Sequence, residues 1–522
     1  MTVRSKLGLA ELPPERCQSN TEYSERSNAT REHLGSLSDE EMQMKKWSYD
    51  EMLEWLDLHS SMEATGFTHV AVPTLDRMHD ICNLMGNPEG AQPVIHITGT
   101  NGKGSTAKLV TGLLVARGLR VGTYSSPNLA RVNERMTYCN EPVTDEDLCA
   151  LMAELSAFEI MLGYRLSRFE LLTACAFRWF ADRPVDVAVL EVGIGGRWDA
   201  TNVANADVAV VTNISYDHVE ILGPTLKDIA REKAGIIKSG SLAVIGETDP
   251  ELIKIFEAAA GIAGVGAIGN ADQTGMTNTE GNTEGKAVVG SSGATRNRGG
   301  NAVLYAGRDF ACTRSVPVPG GLAIDLETPW SRNVEVFLSM YGAHQGHNAA
   351  VALACVEAFF GAAYPEDLLA EVFGKVSFSG RCEVLGRDPI VLLDGAHNVA
   401  GMQALAGVLK DHFAELSPKI LVTGMLTGRD PAAMLDALGQ QIDYVIAVPA
   451  PSQRTLSPDA IRDVAQAMGI QSVSASSAVV GLQMAGTTAG SAGLVLVAGS
   501  LYVVGAARQA MIGDIVRPDI VV

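Results

Sequence analysis

Short apolar runs, each closed by a glycine or a polar turn, recur along the chain: "PVIHITG" from Pro93, "VDVAVLEVG" from Val185, "ADVAVVTNIS" from Ala206 and "SLAVIGE" from Ser241. Most are followed by a stretch with helical spacing, and that alternation predicts a mostly parallel sheet covered on both faces. Before the first run, "WSYDEMLEWLDLHSSM" has apolar residues at helical spacing, with Ser48 placed to cap a helix. Residues 1–45 are polar and almost free of periodicity, which predicts a disordered extension. Residues 261–300 are rich in Gly, Asn and Thr, which predicts a flexible inserted loop with no catalytic role. After it a helix is expected at "GHNAAVALACVEAFF". A second α/β series follows through "PIVLLDGAHN", "KILVTGM", "YVIAVPA" and "GLVLVAGS". The break between units falls near "KVSFSGRCE", so the expected division is 1–45, 46–378 and 379–522.

A chain of 522 residues is too long for one core, in keeping with that division. With 47% hydrophobic and 19% charged residues it has the composition of a soluble globular protein. A net charge of -20 argues against nucleic acid as a partner, because displacing counterions takes clustered lysine and arginine. An anionic ligand must therefore be held by a local site. The eight cysteines form no C-x-x-C pair, as expected of reduced thiols in the cytoplasm, and none is read as a metal ligand. No signal-peptide core and no run of about 18 apolar residues is visible, so neither export nor a membrane is expected.

The chemistry concentrates at the ends of the predicted strands, where ligands bind in such sheets. "HITGTNGKGSTAKLV" has the glycines, lysine and hydroxyls of a phosphate-cradling loop. The standard G-x-x-x-x-G-K-[ST] spacing would need a glycine at position 97 and a hydroxyl directly after Lys103, where Ile97 and Gly104 stand. Its glycines would let backbone N–H groups converge on an anion at the start of a helix, with Lys103 as the mobile charge; a ligand-free glycine turn is the plain alternative. In "LEVGIGGRWDATN", Glu191 closes a buried strand, and a buried carboxylate needs a cation, either a metal or a core ion pair. In "TNISYDHVEILGPTLKDIAREKAGIIKSG", His218 follows another strand end and could touch a metal or phosphate, or simply form a hydrogen bond. Lys233, beside Glu232, would ordinarily form a surface salt bridge.

Taken together, "GTNGKGS", "YSSPNLARVNERM", "FELLTACAF", "EVGIGGRWDATN", "SYDHVEILGPTLKDIAREKAGIIK", "GAHQGHNAAVAL", "SGRCEV", "DGAHN" and "GSLYVVG" resemble, in order, the motifs of the folylpolyglutamate synthase and dihydrofolate synthase family, relatives of the Mur ligases. The resemblance runs from about residue 47 to 507 and makes the loop's spacing the family's own. It implies a P-loop-type, mostly parallel ATPase domain followed by a smaller Rossmann-like α/β domain. The implied enzyme activates a folate-type acid with ATP and joins it to L-glutamate. The acid would be dihydropteroate or a reduced folate, and the enzyme a cytoplasmic monomer. By resemblance, Gly99, Thr100, Asn101, Gly102, Lys103, Gly104 and Ser105 hold the phosphates. Asn348, Arg381 and Asp394 match ATP-binding positions, and His397 would face the phosphates from the second domain. Ser126 and Glu191 match Mg²⁺ ligands, His218 a ligand of a second Mg²⁺, and Lys233 a lysine that is carbamylated and helps hold metal. Thr74 and Leu75 in "VPTLDRM", Arg168, Phe169 and Glu170 in "SRFE", and Trp198, Asp199 and Ala200 in "RWDA" match the pterin region. Phe169 and Trp198 offer flat apolar faces to a ring, although either could be a core residue.

Three departures fall in that region: Asn128 where many relatives have histidine, "VPTLDR" for "LGLER", and Arg168 at a position more often apolar. They leave the accepted folate form open and do not touch the ATP chemistry. Two other readings stand beside this one. A Mur-type ligase for a different acid would be expected to carry a nucleotide-sugar domain before the loop, where about fifty ordered residues are expected here. A non-catalytic P-loop protein would have no need of Lys103, Glu191, His218, Lys233 and Asp394 together.

Overall fold

The computed structural model describes residues 46–60, 74–261 and 303–512. The expected extension 1–45, the insertion beyond Gly261, and Val72 and Pro73 of the "VPTLDRM" stretch lie outside the described residues. Ser48 caps the first described helix, Tyr49–Asp57, in a reciprocal box with Glu51.

Eight strands form the first sheet: β1 (Val94–Thr98), β2 (Val121–Tyr124), β3 (Met136–Tyr138), β4 (Glu141–Pro142), β5 (Val187–Glu191), β6 (Val208–Val211), β7 (Leu242–Ile245) and β8 (Val303–Tyr305). Their order is β4-β3-β2-β5-β1-β6-β7-β8. From β2 to β8 neighbouring strands are parallel, and β3 and β4 add an antiparallel edge. The central strands β1, β5 and β6 are buried throughout, which is why their sequences run apolar without alternation. On one face Ile95 and Ile97 pack with Leu109 and Leu113 of helix Lys103–Ala116 and with Val351 of helix Ala343–Phe360. On the other, Ala188 and Leu190 pack with Leu172 and Phe177 of helix Arg168–Asp182.

Between the insertion and helix Ala343–Phe360 the sequence reading expects no strands. There the structure has β8 and an antiparallel sheet of β9 (Ala311–Val318), β10 (Gly321–Glu327) and β11 (Arg332–Leu338), ordered β11-β10-β9. Only β10 is buried along most of its length. About half of β9 and β11 is exposed, and Thr313, Arg314, Arg332 and Glu335 interrupt their apolar positions, so no continuous apolar run marks them.

The second α/β sheet contains β12 (Glu383–Arg387), β13 (Ile390–Leu393), β14 (Lys419–Thr423), β15 (Tyr444–Ala447), β16 (Gln471–Ser474) and β17 (Leu494–Ala498), in the order β12-β13-β17-β14-β15-β16. It is parallel except at the β12 edge. The two α/β units meet along apolar contacts. The Tyr341 ring lies 5.0 Å from that of His412 and 5.5 Å from that of Phe413. Leu129 presses on Gly505, where a Cβ would stand 2.2 Å from the Leu129 carbonyl oxygen. No described helix is long and apolar enough to cross a membrane.

Candidate active site

Between the end of β1 and helix Lys103–Ala116 the chain must turn tightly, and two glycines allow it. Gly99 has φ 149°, and a Cβ there would stand 1.8 Å from Thr212 Oγ1. Gly102 has φ 79° and lies so close to Asn348 that a Cβ would meet its Oδ1 at 2.4 Å. The loop is fastened to the end of β6. Thr100 N donates to Asn213 O (3.0 Å), Asn101 N to Asn213 Oδ1 (3.0 Å), and Thr212 Oγ1 to Asn101 O (2.6 Å). The helix has no side-chain cap at Gly102, so its first N–H groups face the loop, an arrangement suited to an anion. Lys103 Nζ folds back onto the carbonyls of Gly99 (3.2 Å) and Thr100 (3.4 Å). Ser105 is buried in the first turn, and Asn348 is held by Gln345 through Nδ2–H···Oε1 at 2.9 Å.

Lys233 differs from its plain expectation. The surface salt bridge with Glu232 is absent: Lys233 is 4% exposed, and its Nζ donates to Gly99 O at 2.8 Å. Glu232 turns instead to Trp198 N, 3.3 Å away. Burial, reinforced by Lys103 nearby, lowers the Lys233 amine to about 7. Its last-turn position points it inward across the end of β1, toward the carbonyl that Lys103 also uses.

Glu191 is buried at the end of β5 and accepts a hydrogen bond from Ser126 N (3.2 Å). Burial raises its carboxyl, while Lys103, Arg381 and Arg135 act in the opposite direction. Since the Lys103 amine is turned to the loop carbonyls, the core ion pair considered for Glu191 does not form with it. The His218 backbone is left-handed at φ 50°, and burial lowers its imidazole to about 4 against the opposing pull of Asp217. At neutral pH it is therefore uncharged. Among the described residues no three His, Cys, Asp or Glu side chains form a ready-made cage for a metal.

From the second unit, Arg381 lies over the Phe378 ring (5.7 Å) and against Gly395, where a Cβ would come 1.8 Å from its Nη1. Asp394 fastens its own turn: Oδ2 accepts from Cys382 N (2.9 Å) and Oδ1 from Ala396 N (2.8 Å). His397 donates from Nδ1 to Gly395 O (2.7 Å), leaving Nε2 3.8 Å from Asp217 Oδ2.

The residues assigned to the pterin region are spread over separate tasks. Arg168 pairs with Asp57, and its backbone N–H donates to Ser60 O (3.0 Å). Glu170 closes a capping box with Ser167. Buried Asp199 accepts from Gly193 N (2.9 Å), Ile194 N (3.1 Å) and Thr201 N (3.0 Å). Thr74 Oγ1 accepts from Asp76 N (3.2 Å), and Leu75 begins helix Asp76–Leu84. Ala200 is buried. Phe169 packs against Gly193 and Tyr124, partly buried, whereas Trp198 is 47% exposed. Asn128 Oδ1 accepts from Arg135 Nε at 2.7 Å.

Sequence reasoning misses Asp217, Arg429 and the role of Asn398. Asp217 Oδ1 accepts from Arg429 Nη1 (2.6 Å) and Oδ2 from Asn398 Nδ2 (3.0 Å), and Asn398 Nδ2 also reaches Asn101 Oδ1 (3.2 Å). Burial alone would raise the Asp217 carboxyl; His218, His397 and Arg429 overcome this and hold it well below the usual carboxylate range. The available signals were Asp217 directly before His218, and Arg429 in the loop after β14.

The chain is similar to known proteins over both α/β units. Residues 97–356 match the family model described as Mur ligase middle domain, and residues 380–501 that of Mur ligase, glutamate ligase domain. The chain is 35% identical over 410 residues to the dihydrofolate synthase/folylpolyglutamate synthase of Mycobacterium tuberculosis, covering 74% of this chain and 77% of that protein. It is 31% identical to the folylpolyglutamate synthase of Lacticaseibacillus casei over 74% of this chain and 83% of the relative. Among solved structures, the Mycobacterium tuberculosis folylpolyglutamate synthase complexed with ADP superposes with a TM-score of 0.76 at 32% identity, covering 89% of this chain and 99% of that one. E. coli FolC in complex with DHPP and ADP superposes with a TM-score of 0.72 at 26% identity, over 89% and 98%.

Proposed function

The chain belongs to the dihydrofolate synthase/folylpolyglutamate synthase family of Mur-type, ATP-dependent ligases, and on that premise we propose that it activates a folate-type carboxylate as an acyl phosphate and joins it to L-glutamate. A carboxylate is a poor electrophile. Transfer of the γ-phosphoryl group of ATP forms a carboxylate O–P bond and releases ADP. The glutamate amine then attacks the carbonyl carbon, and the C–O bond to phosphate breaks. The protein contributes mainly position and charge. In this reading the loop Gly99–Ser105 holds phosphate oxygens through the N–H groups at the start of its helix, Thr100 and Asn101 having theirs bound to Asn213, and Lys103 leaves its loop carbonyls to neutralise them. Asn348 braces Gly102, while Arg381, Asp394 and His397 border the nucleotide from the second unit.

The donors fit Mg²⁺. It ordinarily takes one or two carboxylates together with phosphate oxygens and water; Glu191 offers a buried carboxylate beside Ser126, and neutral His218, like Glu191, has Lys103 among the charges that act on it. When bound, Mg²⁺ would supply charge neutralisation at the transferred phosphoryl group. Two ions are part of the proposal, with Ser126 and Glu191 toward one and His218 toward the other. Lys233 would carry a carbamate: its uncharged amine adds to CO₂, giving N–COO⁻ and releasing a proton. An amine lowered to about 7 is substantially uncharged at neutral pH, which supports that step. Exposed Trp198 and partly buried Phe169 are the proposed faces for the pterin ring, with Thr74, Leu75, Arg168, Glu170, Asp199 and Ala200 shaping that side. A monomer working in the cytoplasm is proposed, in keeping with the free thiols of the described cysteines.

The observation that carries the reading is the meeting of Lys103 and buried Lys233 on the Gly99 carbonyl, beside buried Glu191, at the end of β1. The test is phosphate release from ATP with Mg²⁺ and L-glutamate, comparing 7,8-dihydropteroate with a reduced monoglutamyl folate. Release with both acids assigns both steps to this chain, and release with one assigns that step. A folded, ATP-binding protein inactive with both would reject the folate reading and point to another acceptor acid.

A further inference from the structure

Two kinds of contact join the α/β units. One is apolar and close, with Leu129 seated on Gly505 and Gly380 and Tyr341 packed against Phe413. The other is polar and centred on Asp217, a buried carboxylate from the loop after β6 that is held by two residues of the second unit, Arg429 and Asn398. Asn398 is the junction, because its amide also donates to Asn101 in the phosphate loop. Asn101 is in turn tied to Asn213 and Thr212, on the same strand end that leads to Asp217. A shift of the second unit must therefore strain the phosphate loop, and a shift of the loop must pull on the second unit.

We propose that Asp217, Arg429 and Asn398 form a polar clasp that positions the second unit over the phosphate loop, with the Leu129–Gly505 seam as the pivot that stays in place when the clasp opens. These are positioning residues. They set the placement of Arg381 and His397 relative to the loop without touching the reacting atoms. Apolar packing tolerates small rotations, whereas charge-assisted hydrogen bonds demand alignment, so the clasp rather than the seam selects one orientation. The turnover arm of the test rests on the ligase reading above, and the exchange arm does not.

The experiment compares the full chain with Asp217→Asn, Arg429→Gln and the double variant. Amide hydrogen exchange is followed at residues 213–218, 395–401 and 425–430, together with the affinity for ADP, kcat and the KM for L-glutamate. Each single variant should raise exchange in all three segments while β1 and β14 stay protected. Each should lower kcat about 100-fold with ADP affinity changed by less than about threefold, and the double variant should be no worse than the worse single one. Losses that add in the double variant would overturn the clasp, as would unchanged exchange. So would a raised KM for L-glutamate in Arg429→Gln with Asp217→Asn unaffected, which would make Arg429 a substrate ligand. Should Asp217→Asn not fold, Arg429→Lys, which keeps the charge and loses the planar fork, must show the same three-segment exchange or the clasp is wrong. Exchange changes in a protein without ligase activity would uphold the clasp and reject the ligase reading.

Discussion

The carboxyl end of the first sheet and that of the second use the same device, a parallel strand running into a loop, to opposite ends. At the first sheet, charged groups lack full compensation: buried Glu191 has its carboxyl raised, buried Lys233 its amine lowered to about 7, and partly buried Lys103 donates to backbone carbonyls. At the second, the corresponding groups hold their own loop in shape. Asp394 binds two backbone N–H groups, His397 a carbonyl, and Arg381 rests on Phe378. On the proposed function, the difference separates a face that keeps groups reactive from one that presents them. Reactivity needs incomplete neutralisation, and presentation needs satisfied hydrogen bonds.

The sharpest way to break that comparison is to neutralise one carboxylate on each side. Glu191→Gln should lose turnover by about 1,000-fold with a melting temperature close to the parent's, because the lost group acts on charge that develops in the reaction. Phosphate release and thermal unfolding measured together decide it, and equal losses in both would return Glu191 to a structural role. Lys233→Met should come next, with turnover down about 100-fold and partly restored by added formate or acetate. Full activity without an added carboxylate would remove the carbamate from the mechanism.

Asp394→Ala should behave in the reverse sense, costing about 1–3 kcal/mol of stability in urea unfolding as the N–H groups of Cys382 and Ala396 lose their acceptor. A variant as stable as the parent but inactive would place Asp394 among the reactive groups.

The smallest effect tests whether a shifted proton affinity marks reactivity at all. His96, fully buried in β1 and bonded to Thr201 at 2.8 Å, has its imidazole lowered to about 3 by burial, yet it lies inside the sheet. Between pH 6.5 and about 3 the unfolded chain binds a proton that the folded chain does not, so stability should fall as pH falls through that window. In His96→Gln that part of the acid slope should disappear while turnover at neutral pH stays near the parent's. Urea midpoints between pH 4 and 7 measure it, and an unchanged slope would contradict the burial assigned to His96. Burial, with Lys238 adding to it, therefore lowers a pKa away from the loop as well. What distinguishes Lys233 is the phosphate loop beside it.

Much of this was legible in the chain. Strands buried on both faces leave continuous apolar runs, so β1, β5, β6, β7, β13, β14, β15 and β17 could be read directly. The glycine loop was legible because only glycine suits the backbone at Gly99 and Gly102. The β9–β11 sheet was not, since its outer strands are about half exposed and have no continuous apolar run. The burial of Lys233 is not legible locally, because its neighbours in sequence, Arg231 and Glu232, are polar and suggest a surface salt bridge. Burial there depends on Gly99, 134 residues away.

By itself, the sequence determined local matters: which segments become strands and helices, where glycine permits a tight turn, and which residue types stand at the strand ends, because each depends on neighbours within a few positions. Only the tertiary structure decided which charges are buried and which groups meet. Asp217 finds Asn398 and Arg429 across separations of 181 and 212 residues, and the cost of burying a charge is set by what packs around it in space.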